Sequence, residues 1–316
     1  MKVKVATFSR VKYTEAVPRE QYIRLCEEAA REAGREGCDV ILLPEHFDIF
    51  GSIETRVSDG GIYDPATDRS ALYRALAEPI PGPMTERFGA IAREYGMYII
   101  PNYTELDGNK MYNTAVIIGR DGEVVGKYRK THLCGSEGRC FGISEGDELP
   151  VFDLDFGRVG IAICMDMYYP EIFRILTLKG ARIIFWPHQT YGPSEEMIMV
   201  QARCRALDNS CYLVGSNFAS PDYYAPYDPG HELSGRAFIV NPEAMIIADT
   251  GHMGGLAIAS FDPEPSRQAK DVVCIRKNGV DQYREDILML RRPELYREIT
   301  SDNGHLRRCE EVFKIK

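Results

Sequence analysis

Apolar and polar residues alternate over Lys2 to Phe8, the pattern of a strand, and apolar residues then recur at helical spacing over Arg19 to Glu36. There Tyr22, Ile23, Cys26, Ala29, Ala30 and Ala33 share one face among charged neighbours. Cys38 to Leu43 is an almost wholly apolar run ending at Pro44, which suits a central strand buried on both faces. The β-α-β pattern then recurs. A helix over Met84 to Tyr95 follows the turn Pro81-Gly82-Pro83, Met97 to Tyr103 reads as a strand, and Thr114 to Gly119 pairs with Glu123 to Tyr128 in a hairpin about Asp121-Gly122. Beyond Pro150, strands are predicted at Val151 to Leu154, Arg158 to Cys164, Ala181 to Trp186 and Cys211 to Asn217, with helices near Pro170 to Leu178 and Ser194 to Asp208. Three further strands, Gly235 to Val240, Met245 to Asp249 and Gly255 to Phe261, follow with short turns. This alternation predicts an α/β fold, a mixed sheet covered by helices. No internal repeat and no Gly-, Pro- or Ser-rich linker interrupts it. Residues 1–266 are therefore expected to form a single domain, and the more polar stretch 267–316 an extension packing on that core or on a partner subunit.

Composition narrows the class. In 316 residues, 44% hydrophobic and 27% charged, a large core is available and disorder is not the main state. Thirty-eight Lys and Arg against 47 Asp and Glu leave a formal charge of −9, with no basic field to hold nucleic acid. No apolar run approaches the roughly 18 residues of a membrane span, and Met1 to Val5 lacks the build of a signal peptide, so a cytoplasmic protein is expected. Nine cysteines without a C-x-x-C pair fit neither a disulfide framework nor a zinc ribbon.

One of those cysteines stands apart. Cys164 closes the run Val159-Gly160-Ile161-Ala162-Ile163 and precedes Met165-Asp166, which puts a thiol at the carboxyl end of a buried strand, where α/β sheets place ligands. The turn that follows can offer backbone N–H groups to an oxyanion and lower the thiol pKa. Glu45 ends the run Val40-Ile41-Leu42-Leu43-Pro44 in the same way, a position suited to a general base. Lys130 sits in Lys127-Tyr128-Arg129-Lys130-Thr131-His132-Leu133, directly after the hairpin. Taken singly, these read as a structural cysteine, a loop acid and a basic surface turn. A phosphate-loop reading of Gly122 to Tyr128 fails, because the glycines are one residue too close and no Ser or Thr follows the lysine.

Taken together, Leu43-Pro44-Glu45, Tyr128 to Leu133 and Gly160 to Asp166 resemble the nitrilase superfamily of carbon–nitrogen hydrolases. Supporting matches are Ile80-Pro81-Gly82-Pro83, Tyr112-Asn113-Thr114-Ala115, Gly122-Glu123-Val124, Arg203 to Asn209 and Gly235 to Pro242. The resemblance implies a single-domain α-β-β-α sandwich, a homo-oligomer (dimer or higher) and a Glu-Lys-Cys catalytic set falling on Glu45, Lys130 and Cys164. It also implies a second glutamate beyond the lysine. Glu137, seven residues on, is the candidate, with Glu145 as competitor. Neither a metal nor another cofactor is implied. A rival Cys–His enzyme is not favoured, because His132 belongs to the lysine motif and reads as structural while His46 and His188 have no orienting Asn or Asp evident in the sequence; Cys134, Cys140 and His132 lack the spacing usual for zinc.

Within the resemblance, Cys164-Met165-Asp166 sides with amidases and carbamoylases, whereas nitrilases tend to carry Trp-Glu after the nucleophile. Met167-Tyr168-Tyr169 stands where carbamoyl amino acid hydrolases tend to place carboxylate-binding arginines, leaving Arg174 as an alternative. Met165, Tyr168, His188 and Tyr103 are the expected substrate contacts. The polar and aromatic segments Pro187 to Glu196 and Phe218 to Ser234 are expected to form a specificity wall, a lid or a subunit contact. The expected reaction is hydrolysis of a small amide or N-carbamoyl amine through a Cys164 thioester. The alternatives are a nitrilase and a non-catalytic binding relative.

Overall fold

A computed structural model describes residues 2–11, 17–49, 52, 54, 68–189, 195–219 and 235–263, and beyond these 275–277, 280–282, 288 and 291–301. The chain divides into two compact units, Met1–Ala269 and Lys270–Lys316. The first contains two mixed sheets. One is built from β1 (Val3–Val11), β2 (Val40–Leu42), β3 (Tyr98–Ile100), β4 (Asn102–Asp107), β5 (Lys110–Ile118) and β6 (Val124–Arg129), together with two strands from late in the chain. The other begins with β7 (Val151–Leu154), β8 (Gly157–Ile161), β9 (Ile183–Pro187) and β10 (Tyr212–Ser216). After β10 the chain crosses to the first sheet as β11 (Phe218–Ala219), parallel to the end of β1. It returns to the second sheet as β12 (Phe238–Val240) and β13 (Ile246–Asp249), then closes on β1 as the antiparallel β14 (Gly255–Phe261).

Each sheet has a parallel core, β1-β2-β3 in one and β8-β9-β10 in the other, flanked by antiparallel strands. Parallel strands need crossover connections, and helices supply them. The first sheet is covered by α1 (Arg19–Arg35) and α3 (Pro83–Tyr95), the second by α5 (Pro170–Leu178) and α6 (Glu195–Asn209). Pro83 opens α3, where a missing N–H costs nothing, and Gly96 closes it at φ +62. Two short helices that hydrophobic spacing did not predict, α2 (Ser70–Leu76) and α4 (Gly135–Cys140), complete the unit.

Three apolar layers hold the stack together. Val5, Val40, Leu42 and Ile100 of the first sheet face Val159, Ile161, Phe185 and Val214 of the second. Ala6, Ile41 and Ile99 pack outward against Ala30, Phe88 and Ile91, and Ile184 and Leu213 pack against Phe173, Leu176 and Ala202. Burying each of the Val, Leu, Ile and Phe side chains contributes about 1.5–3 kcal/mol, and the alternation of strand side chains sends neighbours to opposite layers. The order is thus helix, sheet, sheet, helix. The sheets are also bonded directly: Thr7 donates to the Gly215 carbonyl at 2.8 Å and Ser216 to that of Phe8 at 2.6 Å.

The strand expected over Met97 to Tyr103 is two strands, because Pro101 lacks an N–H, and the strand expected to reach Cys164 ends at Ile161. The segments 190–194 and 220–234, most of the expected lid or contact loops, lie outside the described residues. In the second unit Ile275–Lys277 pairs with Val280–Gln282, and Pro293–Leu295 and Arg297–Thr300 are short helices. Among the described residues no helix is long and apolar enough to cross a membrane.

Candidate active site

Glu45 is delivered by β2, whose three residues are buried between β1 and β3. Leu43 extends the pairing by donating to the Ile100 carbonyl, Pro44 ends it, and His46 at φ +44 turns the chain, leaving Glu45 3% exposed. Lys130 follows β6. Its N–H donates to the Asn113 carbonyl at 2.9 Å, and its own carbonyl accepts from Gly146 at 2.8 Å. A Cβ on Gly146 would meet the Arg129 carbonyl oxygen at 2.3 Å, so only glycine lets that loop clamp the lysine backbone. Lys130 is 1% exposed. Cys164 follows β8 and opens a short 3₁₀ helix, Cys164–Tyr168, at φ +43. For a residue with a Cβ this conformation is strained by about 1–3 kcal/mol, and the surroundings hold it. Ile163 N–H donates to Asp166 Oδ2 at 2.7 Å, and the Trp186 indole donates to the Cys164 carbonyl at 3.1 Å.

The charged groups form one network. Lys130 Nζ lies 2.9 Å from Glu45 Oε1 and 2.7 Å from Glu137 Oε2. Asn113 Nδ2 donates to Oε1 of both glutamates at 2.8 Å, and the Cys134 amide donates to Glu137 Oε2 at 2.8 Å. Burial disfavours the ammonium of Lys130, yet the Cys164 sulfur, Glu137 and Glu45 outweigh it and hold the group charged well above the usual lysine range. Burial also opposes the charge of Glu137, but Lys130 and the Asn113 hydrogen bond hold that carboxyl below its ordinary value. Burial and then the neighbouring Glu45 push the Cys164 thiol well above the ordinary value, against the pull of Lys130. This reverses the lowered thiol pKa expected from the turn. Both effects favour the protonated thiol.

Glu137 rather than Glu145 meets Lys130: Glu137 lies on α4 and is 4% exposed, whereas Glu145 is exposed. Met165 and Tyr168 share the 3₁₀ turn of Cys164, and the Tyr168 phenol is pushed up by partial burial and by Cys164. The other two expected substrate contacts are deeply buried. Tyr103 is completely buried in the layer between the first sheet and its helices, because strand alternation turns it away from Asn102. His188 is completely buried with its ring stacked on Trp186 at 3.6 Å, the indole that donates to the Cys164 carbonyl. His132 bonds to Thr131 and Asp166 and stacks on Tyr169. Arg174 lies half-buried on α5, where its charge acts on buried Cys211. Among the described residues no group of three or more His, Cys, Asp or Glu is arranged to hold a metal ion.

Three further residues belong to the site. Asn113 bridges the two glutamates, and Asn102 Nδ2 donates to Asn113 Oδ1 at 2.9 Å. Asp166, completely buried, accepts from Ile163 N–H and from the Tyr128 hydroxyl at 2.7 Å, tying the turn of Cys164 to the strand that precedes Lys130. Asn113 stands in one of the supporting sequence matches, Tyr112 to Ala115, without a role attached to it, whereas Asn102 opens β4 among other polar residues and carries no such mark.

The comparisons agree with this geometry. Residues 11–271 match the Carbon-nitrogen hydrolase family. The chain is 32% identical to a nitrilase from Pyrococcus abyssi over 273 residues, 85% of this chain and 90% of that one. It is 30% identical to a human omega-amidase over 267 residues (80% and 87%) and 29% identical to the human deaminated glutathione amidase over 300 residues (90% and 81%). Among solved structures, an amidase from Nesterenkonia sp. superposes with a TM-score of 0.69 at 20% identity, covering 94% of this chain and 96% of that one. A mutant of that amidase has been seen with the acetamide moiety of fluoroacetamide added to its active-site cysteine. The two-sheet fold is thus that of the nitrilase-superfamily amidases, and the chain belongs to the carbon-nitrogen hydrolase family.

Proposed function

We propose that the protein hydrolyses the C–N bond of a small amide, a linear carboxamide or N-carbamoyl amine, through a thioester on Cys164. The observation that carries this reading is the Glu45–Lys130–Glu137 cluster, bridged by Asn113, beside a thiol on a strained turn. The neutral resting thiol must lose its proton as it attacks, and Glu45 is the base. Lys130 and Asn113 both engage Oε1, which leaves Oε2 for the proton. As sulfur adds to the carbonyl carbon, the oxyanion is met by the Lys130 ammonium and by a backbone N–H of the turn near Met165. Collapse expels ammonia or amine, which takes the proton from Glu45. The same carboxylate then activates the water that hydrolyses the thioester and restores the thiol. Glu137 keeps Lys130 charged and aimed. The similar amidases favour an amide, and the Nesterenkonia amidase takes its covalent adduct on an active-site cysteine.

One observation supports a second reading. The Pyrococcus abyssi relative is a nitrilase, and the same thiol could add to a nitrile carbon. Against it, Asp166 rather than a glutamate follows the nucleophile's neighbour and makes the hydrogen bonds that hold the turn. Ammonia release across aliphatic amides, ω-amides, N-carbamoyl amines, N-carbamoyl amino acids and nitriles, with Cys164→Ala as blank, separates the two. Turnover of amides absent from the blank supports the proposal. Turnover of nitriles alone replaces it with the second reading.

A further inference from the structure

The orientation of the Asn113 amide is set outside the reacting groups, by a relay that starts at a backbone N–H. His46 N–H lies 2.7 Å from Asn102, and a backbone amide can only donate, so the Asn102 atom facing it is Oδ1. The Asn102 NH₂ therefore faces Asn113, 2.9 Å away, and the Asn113 atom it meets must be its oxygen. That leaves the Asn113 NH₂ turned to the glutamates, with one hydrogen for Glu45 and one for Glu137. Both asparagines are completely buried, so no water competes for these bonds. The positive φ of His46 belongs to the same device, since that residue supplies the first donor at the bend after Glu45.

We infer that Asn102 is a positioning residue: through Asn113, and without touching the reacting groups, it fixes two N–H donors on Glu45 and Glu137 and so keeps both ready as carboxylates. With the amide reversed, a carbonyl oxygen would face two carboxylates that share one cation, Lys130. Such a cluster relieves itself by taking up a proton, and a protonated Glu45 is no base. The other ionisable groups around the pair are Cys164, Cys134 and His46. The inference rests on the proposed reaction for its kinetic consequences, while its effect on Cys164 can be read without substrate.

The test is the order of two substitutions. Asn102→Asp keeps the shape and still accepts from His46, but as a carboxylate it cannot donate to Asn113, which favours the reversed amide. Asn102→Ala removes both bonds and leaves the orientation unbiased. The relay predicts that the isosteric variant is the worse one: kcat about 10²-fold down with KM within about threefold, against a smaller loss for alanine. In Asn102→Asp the acid limb of kcat moves to higher pH. The midpoint for alkylation of Cys164 by iodoacetamide moves to lower pH, because a protonated Glu45 no longer repels the thiolate. A purely structural role gives the opposite order, with aspartate milder than alanine and both midpoints unmoved, and would overturn the inference. If Asn102→Asp does not fold, Asn113→Ala carries the test, since loss of both donors must shift the two midpoints in the same senses. Unmoved midpoints there overturn it equally. If the wild type hydrolyses no amide, the proposed function fails while the alkylation result still decides the relay.

Discussion

Replacing Glu137 by glutamine removes one charge at nearly constant volume. Glu137 accepts three hydrogen bonds on two oxygens, from Asn113 on Oε1 and from Lys130 and the Cys134 amide on Oε2. A glutamine that turns its oxygen to Lys130 and Cys134 points its NH₂ at that of Asn113, and the reverse orientation points it at the ammonium. Either way two buried donors face each other. At 2.7 Å and an effective dielectric of about 20, the attraction between Lys130 and Glu137 is about 6 kcal/mol before desolvation is subtracted. Burial offsets much of this and Glu45 remains as a partner, so the expected loss of stability is about 1–3 kcal/mol. The reaction suffers more, because Lys130 is no longer held where the oxyanion forms: kcat should fall about 10²–10³-fold with KM changed less than about threefold. The assay is ammonia release at saturating amide, with urea unfolding followed by circular dichroism on the same samples. Glu145→Gln is the control, expected to change stability by no more than about 0.5 kcal/mol and the rate not at all, since that side chain is exposed. A folded Glu137→Gln enzyme that keeps more than about a tenth of kcat, or a loss appearing in Glu145→Gln instead, would refute the reasoning.

Other consequences follow from the same contacts. Iodoacetamide should alkylate Cys164 with a midpoint above the ordinary thiol value of about 8.5, because burial and Glu45 disfavour the thiolate; a midpoint at or below 8.5 would contradict the neutral-thiol resting state. Asp166→Asn can keep its oxygen on Ile163 and Tyr128, which both donate to Oδ2, but it then turns an NH₂ toward the His132 N–H that Oδ1 accepts from, so it should cost about 1–3 kcal/mol and lower kcat at least about tenfold, read by denaturant unfolding and ammonia release. Tyr103→Phe removes a buried hydroxyl with no hydrogen-bond partner, so stability should be unchanged or raised by up to about 1 kcal/mol, with kcat unaltered. The cluster also shapes stability against pH. Glu137, depressed in the fold, contributes stability that is complete above its unfolded value near 4.3 and is lost as pH falls through the lower folded value. Lys130, raised in the fold, contributes stability that is complete below about 10.4 and lost as pH rises through its higher folded value. Unfolding free energies of wild type and Glu137→Gln should therefore converge in acid; a constant difference down to the acid transition would contradict this.

Much of the fold was legible because its elements carry local signatures. Helix α1 has one apolar face, α5 opens with Pro170, and β7 and β14 have the predicted bounds. Residue patterning alone did not divide the strands between two sheets. A residue such as Ile161 reads as buried whether it faces a helix or another sheet, and only long-range packing decides. Glu45, Lys130 and Cys164 were legible from their motifs, and Glu137 was narrowed to one of two. Asn102 and Asn113 were not, because their role lies in which atom donates to which, a property of geometry rather than spacing. Tyr103 was expected to contact substrate, yet it packs in the apolar layer beneath the helices, and His188 stacks on Trp186, a ring contact that spacing does not show. The sign of the thiol shift was missed because the turn's N–H groups were weighed without the adjacent Glu45 and the depth of burial.

The central claim is a covalent acyl bond to Cys164, and the most direct measurement is to quench the enzyme during turnover of a small amide and map the acyl group by peptide mass spectrometry. The account predicts the acyl mass on the peptide carrying Cys164, removable by hydroxylamine and absent from Cys164→Ala, which should also release no ammonia. Steady ammonia release by Cys164→Ala, or turnover with the acyl group found on another residue, would contradict it.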